Sequence, residues 1–392
     1  MTQKNLIIGI GVLLVLGVAG FIMFMTLRSA DSSESGSADF FSTLFPFATS
    51  LPGSSSPDSS SGDGPNDLPV ATLRQVTNAA VSGGHLTDEG TIVYMERETG
   101  HVFTTGLDTN ETLRISNTTL PGIERMYWGA ENRFVFQYLD DALGIQNFTG
   151  KISTSSENQS LSATALQSFE RVLFTPDGES IVTVSETPSG SRVSLTELES
   201  NRSTTLYTSP IRSWIPLASE KSVYILSAPT SDQPGNLYRL EAGDSLVKVI
   251  GNIPGLLALP SPSGRYVLYS SGAGGTIDTA VYDTETKENY RLPLKTLASK
   301  CAFLPNNEPS VFCGVPAERP LAAYPDLWFL GVMAFNDRAW VMDPVTGTAR
   351  GVSDLLVESG GLDVYNPSVS ADGAHALFMN KNDLSLWSLQ LR

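Results

Sequence analysis

The chain has 392 residues, 41 acidic against 25 basic side chains and a formal net charge of −16 at pH 7. That balance repels nucleic acid and anionic lipid surfaces, so neither is an expected partner of the folded part. The two cysteines have only His85, His101 and His375 beside them and do not make the four closely spaced ligands of a structural zinc site, and no cofactor is expected.

After a short polar start over residues 1–5, Leu6 to Leu27 is one apolar run broken only by glycines and Thr26. At the helical rise it reaches about 33 Å, enough to span a bilayer. Arg28 stands where a cleavable signal wants a small residue, so the run reads as an uncleaved anchor over residues 6–27. Lys4 and the terminal amine precede it, and no further Lys or Arg comes between Arg28 and Arg74, while Asp31, Glu34, Asp39, Asp58, Asp63 and Asp67 do. The positive-inside rule then places the N-terminus in the cytosol and the bulk of the chain outside it, as a single-pass protein of the cell membrane.

Residues 28–69 are rich in Ser, Gly, Pro and Asp, a composition that cannot bury enough surface to offset its ordering entropy, and they read as a disordered linker. Its reach as a coil is about 35 Å. Within it, Phe40, Phe41, Leu44, Phe45 and Phe47 form an apolar island. Two readings stay open: a segment that dips into the lipid interface, or a docking peptide.

From residue 70 to 392 one event recurs, a short polar turn followed by an apolar run. The turns are TDEG at Thr87 to Gly90, TPDG at Thr175 to Gly178, SPSG at Ser261 to Gly264 and SADG at Ser370 to Gly373, with weaker copies ending at Asn132, Lys221 and Asn307. Pro at the second position presets φ and Gly at the fourth tolerates positive φ, so these are hairpin turns. Their ends, at 90, 132, 178, 221, 264, 307 and 373, lie 42 to 46 residues apart until a last interval of 66. Runs such as TIVYM, RFVFQY, SIVTV and HALFM follow them and are rich in β-branched and aromatic residues. Four strands in about 40 to 45 residues is the size of a propeller blade. The last unit ends one strand short, whereas ATLRQVT at Ala71 to Thr77 has no unit of its own. The expectation is an all-β, seven-bladed propeller over residues 70–392 in which Leu73–Val76 completes the last blade and removes both open sheet edges.

In LFTPDGESIVTV and VMDPVTGTA the chain resembles the TolB-type and WD40-like propeller repeats of bacterial envelope proteins, a likeness that covers Leu73 to Arg392. Cys301, Cys313, YPDLW and Trp340 together look like a blade of uncharacterised single-pass bacterial propellers. The resemblance implies a fold and is silent on function, because its residues serve turns and strand packing. The Trp-Asp signature of eukaryotic repeats and the separate amino-terminal domain of TolB are missing, so a TolB partner is not carried over.

Cys301 and Cys313 lie six residues either side of Asn307, which puts them opposite or nearly opposite each other in a hairpin. Opposed residues approach to about 4.5 Å between Cα atoms, within disulfide range, and disulfides persist outside the cytosol. The long interval adds a loop after this hairpin, between the second and third strands of its blade. It carries Arg319, Tyr324, Asp326, Trp328, Phe329, Phe335 and Asp337. Aromatic loops serve interface hot spots and equally serve to pack a loop onto its own blade, and both readings stay open.

Nucleophile elbow, zincin helix, phosphate loop and calcium loop are all missing from the sequence. SSGAGGT at Ser270 to Thr276 reads as an anion cradle or as a Gly-rich link between two strands. The expected function is therefore a membrane-anchored extracytoplasmic module that binds a protein or an envelope polymer and catalyses nothing. The alternative is an enzyme or small-ligand receptor that uses the central channel. Ionisable groups converging in a concavity would favour that alternative.

Overall fold

In a computed structural model the four tetrads close by the same bond. The amide of Gly90, Gly178, Gly264 and Gly373 donates to the carbonyl of Thr87, Thr175, Ser261 and Ser370 at 3.0, 2.8, 2.9 and 2.8 Å. The four glycines have φ of 75°, 69°, 75° and 71°, the left-handed region that a Cβ disfavours. Asp177 and Asp372 brace their turns by accepting from the Thr175 and Ser370 hydroxyls.

The structure describes residues 72–392 except 88, 110, 117–118, 153–160 and 244, within a unit that runs from Asp67 to Arg392. The expected span at 6–27, the linker at 28–69 and its aromatic island lie outside the described residues. Among the described residues no helix is long and apolar enough to cross a membrane.

The described chain forms seven four-stranded antiparallel sheets, the blades of a propeller. Blades 1 to 6 occupy residues 81–114, 123–165, 171–209, 214–254, 257–291 and 301–353, and blade 7 contains 364–390. Leu73–Thr77 pairs antiparallel with Leu386–Gln390, with Leu73 opposite Leu389. The first strand of each blade, or the turn leading into it, touches that of the next around the whole ring, so these strands border the central channel.

Between every two neighbouring blades lies an apolar cluster. Val93, Met95, Ile123 and Phe134 join blades 1 and 2. Ile92, Tyr94, Leu377 and Met379 join blade 1 to blade 7. Alternate residues of one strand thus serve opposite faces, and both faces are dry. This explains why Ile92 to Met95 and Phe134 to Gln137 are buried without a break where a half-exposed strand would alternate. Strands at the outer rim, such as Thr112–Arg114, are exposed.

In blade 6, Cys301 stands directly opposite Cys313. The two are joined, with their Cα atoms 4.1 Å apart.

Candidate functional site

The second strand of blade 6 ends at Pro316 and the third begins at Asp337, so the extra residues form an insert over 317–336. Ala317 donates to the Asn336 carbonyl at 2.8 Å and closes its base. From there the insert crosses blade 5, where Ala322 donates to the Gly275 carbonyl at 3.1 Å. It reaches blade 4, where the Ser231 amide donates to Asp326 Oδ2 at 2.7 Å. The Tyr324 carbonyl lies so close that a Cβ at Gly255 or Gly272 would come within 2.5 or 1.9 Å of it. The Gly-rich stretch at 270–276 is thus a link between the second and third strands of blade 5 that seats the insert.

Beneath the insert is a buried ionic cluster. Lys300, Asp337 and Asp363 have no exposed side-chain surface. The Lys300 ammonium donates to Asp363 Oδ1, pairs with Asp337 Oδ2 at 2.7 Å and donates to the Val364 carbonyl at 3.1 Å. Asp363 also accepts the Trp328 indole N–H at 2.9 Å and the Phe335 amide at 3.0 Å. Asp337 Oδ2 accepts the Val364 amide at 2.7 Å. The ammonium lies 5.1 Å from the ring centres of both Trp328 and Phe335. One cation faces two carboxylates, and burial pushes Asp337 up to about 6 against the attraction of Lys300. A cluster closed to solvent holds the insert in place and offers no access to a substrate.

Four of the seven residues singled out in this loop therefore pack downward. Tyr324, Trp328, Phe335 and Asp337 are buried, and Asp337 opens the third strand of blade 6. Phe329 and Arg319 are exposed, the latter bonded to the Pro316 carbonyl at 2.8 Å. Asp326 is half-buried under Ser231. Leu321, Phe329, Leu330 and Val332 keep 80, 45, 74 and 72 % of their surface exposed. Sequence reasoning missed Lys300 and Asp363, which stand outside the loop. It also missed the three exposed aliphatic residues, since it weighed only aromatic and charged ones.

The insert lies at the end where the first strands begin. At the other end, among the hairpin turns, a cavity of about 870 Å³ is lined by His85, Tyr127, Trp128, Glu131, Pro176 and Asn366 among others. His85 stacks on Trp128 with ring centres 6.2 Å apart. Between the two ends, the first strands of blades 2 and 3 carry Arg125 and Arg171. Arg125 bonds to Tyr127, the Tyr127 hydroxyl also donates to Gln137 Oε1 at 3.3 Å, and Arg125 lies within electrostatic range of Tyr365. Tyr365 belongs to the first strand of blade 7 and Arg125 to that of blade 2, with blade 1 between them. Gly83 and Gly84 on the first strand of blade 1 let that strand pack closely against blades 2 and 7. A Cβ there would lie 2.5 Å from the Met126 carbonyl and 2.9 Å from the Leu386 side chain.

No protein-family model and no curated protein matches this chain. Its likeness is to solved propellers. Oligogalacturonate lyase from Vibrio parahaemolyticus shares 11 % identity at a TM-score of 0.58, over 83 % of this chain and 95 % of that one. The β-propeller domain of the trilobed protease from Pyrococcus furiosus shares 11 % identity at 0.53, over 80 % and 98 %. TolB from Acinetobacter baumannii shares 13 % identity at 0.43, over 82 % and 78 %. The first two, at identities this low, show the β-propeller fold and nothing of the chemistry, and the third carries no weight at its TM-score.

Proposed function

We propose that this protein is a membrane-anchored, extracytoplasmic binding module without catalytic activity, and that its insert is the surface that meets a protein partner. Leu321, Phe329, Leu330 and Val332 carry this reading. They are large, exposed apolar side chains on a segment whose other side is fixed by buried aromatic residues and the Lys300 cluster. A rigid apolar patch loses little conformational freedom on docking, and contiguous exposed apolar surface marks interaction sites. With a net charge of −16, the complementary partner has a basic rim around an apolar centre. The apolar run over residues 6–27 supports the anchored placement. The strand Leu73–Val76 acts as the latch that ties the two ends of the folded part together.

Affinity purification from detergent-solubilised membranes tests the reading. A partner retained by the native protein and lost with Leu330→Asp or Val332→Asp supports it. Identical partner sets for native and substituted proteins overturn it.

A further inference from the structure

Arg125 and Arg171 are two cations on the first strands of adjoining blades, and those strands touch. Neither has a carboxylate within ion-pair distance among the described residues. Glu124, the acid nearest to Arg125 in sequence, is taken by Arg97. In a chain with 41 acidic side chains against 25 basic ones, two neighbouring cations at the channel that make no direct ion pair among the described residues stand out, although Glu124 favours the Arg125 charge from farther off. Burial works against the Arg171 charge, and the neighbouring Arg125 adds to the penalty, so its guanidinium sits below the ordinary arginine value. An anion between them would relieve both costs. The Tyr127 hydroxyl, whose proton goes to Gln137, accepts from Arg125 and helps to orient its guanidinium, while Arg125 itself remains exposed.

We propose that the channel holds a small oxyanion, a carboxylate or a phosphate, between Arg125 and Arg171. Guanidinium groups match such oxyanions through paired N–H donors. The rest of the ligand has room in the cavity of about 870 Å³, which Tyr127 joins to the arginine pair, since it lines the one and bonds to the other. His85 and Trp128 would offer flat surfaces there to a ring-shaped body. This site is distinct from the exposed face of the insert and stands or falls separately.

The test is thermal unfolding and calorimetric titration of the full-length protein in detergent. The probes are inorganic phosphate and malonate, with sodium chloride at matched ionic strength as reference. A saturable rise in Tm with either probe, absent with chloride, is expected, and the probe that acts tells phosphate from carboxylate. Arg125→Gln and Arg171→Gln should each weaken that binding about 10-fold or more, and Arg125→Lys less. Arg319→Gln, on the insert, should leave it unchanged. Because a channel substitution can affect folding, the Tm of each variant without probe is measured as well. Equal responses to both probes and chloride, or unaltered binding by a folded Arg125→Gln, Arg171→Gln double variant, would overturn the proposal.

Discussion

Trp328 donates its indole N–H to the Asp363 carboxylate at 2.9 Å and so ties the insert of blade 6 to the start of blade 7. The same carboxylate neutralises Lys300. Asp363→Ala leaves a buried ammonium and an indole N–H short of an acceptor, a loss on the order of 3 to 5 kcal/mol. Trp328→Ala removes a fully buried ring and should cost about as much. Phe329→Ala, next to it but 45 % exposed, should cost less than about 1.5 kcal/mol. Urea unfolding monitored by circular dichroism measures all three. A loss for Phe329→Ala as large as for Trp328→Ala would show that the buried cluster is not the anchor.

Asp337 responds to pH in the sense opposite to the turn carboxylates. Its folded value is raised from 3.8 to about 6, so between those values the folded protein holds a proton that the unfolded chain has released. Its contribution to stability is therefore greatest below about pH 4 and is lost as pH rises through about 6, by roughly 3 kcal/mol. Hydrogen bonds to the carboxylates of Asp177 and Asp372 hold their values below the ordinary range, so their contributions are present at neutral pH and fade as pH falls below about 4. Asp337→Asn should flatten the stability profile between pH 4 and 7 relative to the native protein. Parallel profiles would assign the proton elsewhere.

The bond between Cys301 and Cys313 closes a short loop, and its removal should cost about 3 kcal/mol. Alkylation of unreduced, denatured protein should leave both thiols unmodified. Full modification without reductant would place the chain in a reducing compartment or show that the bond does not form.

Deleting Leu68 to Thr77 removes the strand that pairs with Leu386–Gln390 and leaves an apolar edge prone to aggregation. Deleting Ser29 to Pro65 should leave the melting point within about 2 °C, because that composition has little to give a core. Light scattering and thermal unfolding of the two truncated proteins make the comparison. Equal stability would mean that the ring closes without Leu73–Val76.

A reporter fused after Arg392 should be active only outside the cytosol if residues 6–27 anchor the chain with its start inside. Cytosolic activity would remove the localisation.

The ring was legible because its signal is local and repeated. A Pro or Asp inside a four-residue turn, a Gly at its end and an apolar run after it are all neighbours in sequence. The pairing of Cys301 with Cys313 was legible for the same reason, as both lie within one hairpin. The ionic cluster was not. Lys300 and Asp363 stand 63 residues apart at the edges of two blades, where a charged residue ordinarily faces water. Only the insert, folding back through Trp328 and Phe335, takes that water away. Arg125 and Arg171 escaped notice likewise, since each is a lone cation on its own strand until the ring brings the strands together. Within the insert, Trp328 and Phe329 are adjacent in the short helix Asp326–Phe329, and one is buried while the other is exposed. Composition alone could not divide them.

Gly272 carries a further implication for relatives of this chain. Its φ is −110°, a backbone that any residue adopts, so nothing in its own conformation demands a glycine. The demand comes from the Tyr324 carbonyl, which would lie 1.9 Å from a Cβ there. The insert, and not the local backbone, is what excludes a side chain at this position. A homologue with an ordinary side chain at the equivalent place is thereby marked as having an uncovered blade 5, even when the insert region itself cannot be aligned.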